Sequence, residues 1–237
     1  MKMKVSIFWF RRDLRLKDNT ALYNALKSGF PVIPIFIFDE DILNGLAIDD
    51  ARVNFIYDSL ENVNNLLNTF NSSLRVFKSS VTEAWGNILN EYDIQDVYVN
   101  EDYEPYGMER DRLLSSMLEQ KKVTFNSFTD HVVFKPGEIV KENNSPYTVY
   151  TPFKNKWLKH FTANPICLLP KANYTNFAKL IFHFPTLSDL NFLRSKIKVQ
   201  KINIASIDNY SVMRDFPALD GTSYLGPHLR FGTVSIR

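Results

Sequence analysis

The 237-residue sequence is 45% hydrophobic, 14% aromatic and 23% charged, a balance that buries a core and excludes a disordered or fibrous chain. It holds no run of 18 apolar residues, so no membrane span is expected, and the absence of an apolar leader together with a single cysteine, Cys167, predicts a reducing, cytoplasmic setting without an internal disulfide. The net charge of +2 hides a division: 14 Lys+Arg against 20 Asp+Glu give −6 over residues 1–130, whereas 14 against 6 give +8 over 131–237, a basic half suited to a phosphate backbone or simply to solvent.

The first strand-like run, Val5-Ser6-Ile7-Phe8-Trp9-Phe10, stops at Arg11-Arg12-Asp13-Leu14-Arg15. Charge at the carboxyl end of a buried strand lies where open α/β sheets dock ligands and partner surfaces; a salt-bridged surface turn is the plainer reading. A helical pattern follows near 19–28, then a strand at 31–39 and a helix over 51–70, whose Val53, Ile56, Tyr57, Leu60, Val63, Leu66, Leu67 and Phe70 recur at three and four residues. That stripe faces a core. Strands at 74–79, 96–100 and 123–128 alternate with helices near 81–92 and 107–120. Such alternation predicts an α/β domain over 1–130, with a five-stranded parallel Rossmann-like sheet and helices on both faces.

From His131 the rhythm changes to turn formers and strand fragments, with a short amphipathic helix at Phe153–Phe161. Residues 163–188, carrying Pro165, Pro170 and Pro185, read as a long surface linker, so 131–188 is an exit segment and interdomain linker. A helical region is expected from about Leu187, making 189–237 the beginning of a second, all-α domain. The sequence stops at Phe231-Gly232-Thr233-Val234-Ser235-Ile236-Arg237 with no helix stop signal, which predicts further chain beyond Arg237.

Several chemistries lack support. No G-x-G-x-x-G follows the first strand. Gly221 and Gly226 have phosphate-loop spacing, but Pro227-His228 stand where Lys and Ser/Thr are required. His131, His160, His183 and His228 show no metal-ligand spacing, so no metal is expected, and no G-x-S-x-G elbow supports a hydrolase. Two features remain. Asp102 and Glu104, after the fourth strand, sit where a ligand would be held, or else enrich a helix N-terminus in acid. Gly221 permits a tight turn, Thr222 and Ser223 offer hydroxyls, and Gly226-Pro227 look like an N-cap and first helical residue whose free N–H groups face an anion; ordinary capping explains the same residues.

Four stretches in order, "WFRRDLRLKDN" at 9–19, "NEDYEPYGMERD" at 100–111, "YTVYTPFKNKWLK" at 147–159 and "RDFPALDGTSYLGPHLRFGTVSIR" at 214–237, resemble the DNA photolyase/cryptochrome family across the whole chain. The resemblance implies the N-terminal portion of a light-dependent repair enzyme, in which reduced FAD passes an electron to a cyclobutane pyrimidine dimer in damaged DNA. A cryptochrome-type photoreceptor and a free-standing chromophore- or nucleotide-binding module are the alternatives. The implied FAD residues are Tyr210, Thr222, Ser223, Tyr224, Leu225 and Gly226, with Gly226 replacing a serine whose hydrogen bond to phosphate is worth about 1.5–3 kcal/mol. An antenna chromophore of open identity is implied near Arg52 and Asp102; Tyr106-Gly107 stand where folate binders carry Asn-Glu. The Arg11–Arg15 turn is implied to dock the α/β domain on the helical one, with Asp13 orienting the arginines. No catalytic residue is expected within these 237 residues, which alone should neither hold FAD tightly nor repair DNA, with the part from about 187 loosely ordered or self-associating.

Overall fold

In the computed structural model, which describes residues 2–237, the first apolar run forms β1 (Lys4–Phe10) at the centre of a sheet. α1 (Thr20–Ala25) starts at Asn19, whose side chain accepts the Leu22 N–H as an N-cap. β2 (Val32–Asp39) leads into a single turn, α2 (Glu40–Leu43), and then α3 (Ala51–Asn68). β3 (Arg75–Ser79), α4 (Val81–Glu91), β4 (Asp93–Asn100), α5 (Pro105–Gln120) and β5 (Thr124–Phe128) complete the unit. All five strands are parallel, in the order β3-β2-β1-β4-β5, as the alternation predicts.

The two-residue strand period explains the two cores. Phe8 and Phe10 of β1 with Phe36 and Phe38 of β2 face α1 and α3, where Leu22, Leu60 and Leu67 are fully buried. Val5, Ile7, Trp9, Ile33, Ile35 and Ile37 face α4 and α5, closing on Trp85, Ile88, Leu114 and Leu118. The order in which strands are added reverses between β1 and β4, β2 and β3 lying to one side of β1 and β4 and β5 to the other, so the carboxyl ends of β1 and β4 flank the crevice in which open sheets of this class hold ligands.

Two expectations are corrected beyond the sheet. Residues 163–188 do not all run over the surface. β3 pairs with β2 only from Ile35 onward, which leaves the edge of β2 open at Val32. Phe177 bridges that edge in parallel and Ala178 N–H donates to the Val32 carbonyl at 2.8 Å, so both are buried. Leu187, Leu190 and Phe192 join the α1/α3 core. Proline and asparagine suppress regular structure there without preventing burial. Nor does a continuous helix start near Leu187: residues 193–203 are irregular, because Ile197, Val199 and Ile202 alternate with lysine and glutamine instead of forming a helical stripe. Only a 3₁₀ turn (Ile204–Asn209), α7 (Tyr210–Met213) and α8 (Leu225–Arg230) follow, while α6 (Tyr150–Ala163) is longer than the predicted helix and buries none of its side chains. No helix among the described residues is long and apolar enough to cross a membrane.

Candidate functional site at the carboxyl edge of the sheet

The turn after β1 is a charged hub. Asp13, 1% exposed, accepts the Arg11 backbone N–H at 2.7 Å, the Asn19 amide at 3.2 Å and the amide of Asn100 at the end of β4. Asn100 Oδ1 accepts in turn from the Ala21 N–H at 3.0 Å. Asp13 therefore ties together the ends of β1 and β4 and the start of α1. It receives no hydrogen bond from a guanidinium, so it shapes the backbone of the turn rather than aiming the arginines as the resemblance implied.

The arginines find other carboxylates. Arg11 Nη1 donates to both Asp111 oxygens at 2.6 Å, and its guanidinium and that of Arg110 lie 5.1 and 4.8 Å from the Trp9 ring. Burial pulls the Arg11 pKa below its ordinary value, against the opposing pull of Asp111. Arg12 bonds Asp102 and, at 2.7 Å, Glu104. Arg15 donates to Asp130 at 2.5 Å and to the Gly232 carbonyl at 3.1 Å. The Asp130 side chain is fully buried and also accepts from the Thr20 N–H and hydroxyl and from Arg237 at 2.6 Å. Burial would raise its pKa, but the Arg15 charge and these donors prevail and hold it below the usual carboxylate value.

The same hub receives the last stretch of the chain. Leu14 N–H donates to the Phe231 carbonyl at 3.1 Å, Arg230 to Glu104 at 2.6 Å and Arg237 to Asp18 at 2.9 Å, while Ser235 also bonds Asp18. Gly232, at φ +63°, passes so close that a Cβ would stand 2.2 Å from the Arg12 carbonyl oxygen. His131 donates to that same oxygen. The Arg11–Arg15 turn is thus a dock for residues 230–237, and Arg12 reaches from the end of β1 to Asp102 and Glu104 beyond β4. The Asp18–Asp130–Arg237 cluster was not singled out from the sequence, since Asp130 and Arg237 carry no motif and meet only through the fold.

Glu104 gives this dock a pH dependence. Hydrogen bonds from Arg230 and Arg12 pull its pKa from 4.5 down to about 2. A depressed pKa contributes stability above the unfolded value that is lost as pH falls through the folded one. Protection of the α8 amides, corrected for the intrinsic exchange rate at each pH, is therefore expected to fall between about pH 4.5 and pH 2, and less so in Glu104→Gln, which has no charge to lose.

The proposed chromophore residues are only partly assembled. Arg52, on the first turn of α3, is two-thirds exposed and pairs with Asp50, whereas Asp102 pairs with Arg12; no bond joins the two. Tyr106 donates to Asp39, and burial followed by that carboxylate raises its pKa. Gly107 abuts Asp102, with a virtual Cβ 2.4 Å from its Cγ, so a glutamate would not fit there with Asp102 in place.

For a flavin, α7 lies against the 220–224 turn, where Gly221 meets Met213 Cβ, and Tyr210 and Thr222 are exposed. Tyr224 OH donates to Asp220 at 2.7 Å and the Ser223 carbonyl accepts from the Asn203 N–H at 3.0 Å. α8 starts at Leu225 with Tyr224 in the left-handed N-cap position, so Gly226-Pro227 lie inside the helix rather than at its cap; proline is tolerated because first-turn N–H groups have no helical partner. Gly226 instead lines a small cleft of about 310 Å³ together with Arg52 and Arg230. Hydroxyls and helix-start N–H groups suit a phosphate, but Tyr210 and Thr222 stand open and enclose no ring. The residues present do not fit a whole flavin.

A family profile for DNA photolyase matches residues 6–172. A deoxyribodipyrimidine photo-lyase of Synechococcus sp. is 28% identical over 98% of this chain and 52% of its own length. An uncharacterised 31.6 kDa protein of another Synechococcus strain is 27% identical over 100% of this chain and 88% of its own. The crystal structure of a class III photolyase from Agrobacterium tumefaciens superposes with a TM-score of 0.77 at 27% identity, covering 99% of this chain and 52% of that one. The chain spans about half the length of the photo-lyases it matches. With a parallel sheet of this topology, a charged dock at its carboxyl edge and a profile match over most of the sequence, the chain belongs to the DNA photolyase family.

Proposed function

We propose that these residues are the N-terminal portion of a light-dependent DNA repair enzyme, a deoxyribodipyrimidine photo-lyase that splits cyclobutane pyrimidine dimers in damaged DNA. Residues 1–130 form its α/β antenna-type domain, 131–188 the exit segment and linker, and 189–237 the beginning of its FAD-binding domain. In the whole enzyme FAD would supply the electron that opens the dimer, and Thr222 and Ser223 would be among the residues that hold it. The observation that carries this reading is the near-complete superposition on the Agrobacterium photolyase, with the Arg11–Arg15 dock holding residues 230–237 on the sheet edge. The soluble-type composition and lone, exposed Cys167 suit the cytoplasm.

What these side chains do within that function is mechanical. Arg12 and Arg230 share Glu104, and Arg15 and Arg237 share Asp130, so two double-sided ion pairs set where α8 stands relative to the sheet. The Thr222 and Ser223 hydroxyls ahead of α8 are the phosphate contacts of the proposed FAD site, and Tyr210 flanks them. Because Tyr210 and Thr222 enclose no ring, the 237-residue chain alone is predicted to hold no stoichiometric flavin and to leave thymine dimers intact under blue light. An absorption spectrum and a light-dependent dimer-repair assay check this; bound flavin with dimer loss would overturn it. A second reading, a free-standing chromophore- or nucleotide-binding module, is favoured by the relative whose length this chain covers to 88%. That reading predicts a saturable small-molecule ligand and no repair.

A further inference from the structure

A cleft of about 1430 Å³ runs between α3 and residues 194–202 and is independent of the proposed flavin and antenna residues: none of Tyr210, Thr222, Ser223, Arg52 and Asp102 lines it. Its walls are apolar and partly aromatic. Phe55 and Leu66 of α3, Phe70, Tyr174 and Ile197 line it. The volume exceeds the roughly 300–1,000 Å³ usual for small-molecule sites.

Its charge is one-sided. Lys17, Lys171, Lys198 and Lys201 line it, and none of the four enters an ion pair among the described residues. The lining carboxylates are already neutralised, Asp58 by Arg194 at 2.5 Å and Asp18 by Arg237 at 2.9 Å, and the lining Arg15 is matched by Asp130. Unpaired positive charge above low-dielectric walls concentrates anions.

We propose that this cleft binds a small aromatic anion of nucleotide size, its ring between α3 and Ile197 and its phosphate or carboxylate at the lysine rim. Lysine suits the anionic end as a point charge on a flexible stem. The ring gains apolar contact with Phe55 and Tyr174, which the anion alone would not use.

The test uses the purified 237-residue chain and etheno-AMP as a fluorescent probe, followed by anisotropy. Saturable binding is expected, weakened by about tenfold or more in the nucleoside ethenoadenosine and in the double variant Lys198→Glu/Lys201→Glu, and weakened by added salt. Leu66→Asp, at a position already 52% exposed, should weaken it by blocking the apolar wall without unfolding the chain. Thr222→Ala should leave it unchanged. Absence of saturable binding, equal binding of nucleotide and nucleoside, or loss in Thr222→Ala with none in the lysine and Leu66 variants would overturn the assignment.

Discussion

Asp130→Asn should destabilise the protein by about 3–5 kcal/mol, the usual cost of breaking a buried ion pair from one side. The carboxylate is fully buried and is shared by Arg15 and Arg237, themselves only 8% and 10% exposed at the side chain. Asparagine keeps the shape and one acceptor oxygen but removes the charge. Arg237 retains Asp18, whereas Arg15 is left with the carbonyls of Asp18 and Gly232 and with no carboxylate at all. The measurement is a urea midpoint at neutral pH, with an unchanged slope confirming that stability and not the compactness of either state has moved. Since Asp130 is held below its ordinary value of 3.8, the wild-type advantage is fully present above that pH and shrinks as pH falls through the folded-state value. A variant as stable as the wild type at neutral pH would show that the buried charges are not sharing this carboxylate.

The second large effect is expected at Gly232. Its φ of +63° is one that side-chain-bearing residues adopt only with strain, and a Cβ would lie 2.2 Å from the Arg12 carbonyl oxygen and 2.6 Å from Asp13 Cα. Both obstacles are backbone, held by Asp13 and His131, so neither moves away as a flexible side chain would. Strain of about 1–3 kcal/mol and overpacking of similar size give about 2–6 kcal/mol for Gly232→Ala. Gly226 supplies the contrast. It lies in α8 with ordinary φ and nothing within 4 Å of a Cβ, so Gly226→Ala should be neutral or stabilising by up to about 1 kcal/mol. Thermal melts of the two variants side by side decide it: equal melting temperatures would mean that residues 230–237 do not press against the turn.

The parallel sheet was legible because both its faces are buried. Runs such as Ile33-Pro34-Ile35-Phe36-Ile37-Phe38 admit few other fates when they alternate with helical stripes like Val53–Leu67. The resemblance carried the docking role of Arg11–Arg15, but not its partners. Asp130 lies 115 residues from Arg15, and Arg237 lies 219 residues from Asp18, separations at which no local pattern acts. Phe177 was missed for a related reason: its burial depends on β3 being too short to cover Val32, a property of two other segments. In the candidate site, Arg52 and Asp102 were plausible one at a time, yet each is engaged by a different neighbour, Asp50 and Arg12. The helical region expected from about Leu187 begins only at Ile204 and comes in short pieces, because the order of Ile, Val and Lys over 193–203 has no helical period.

The turn after β1 is the dock that holds residues 230–237 on the sheet edge. Hydrogen–deuterium exchange on wild type and Asp130→Asn, at a denaturant-free pH near neutrality, tests it directly because local opening is read segment by segment. Faster exchange is expected in residues 11–20 and 228–237 alone, with β2, β3 and α4 unchanged. Exchange that rises equally throughout the sheet, or does not change in residues 228–237, would contradict it.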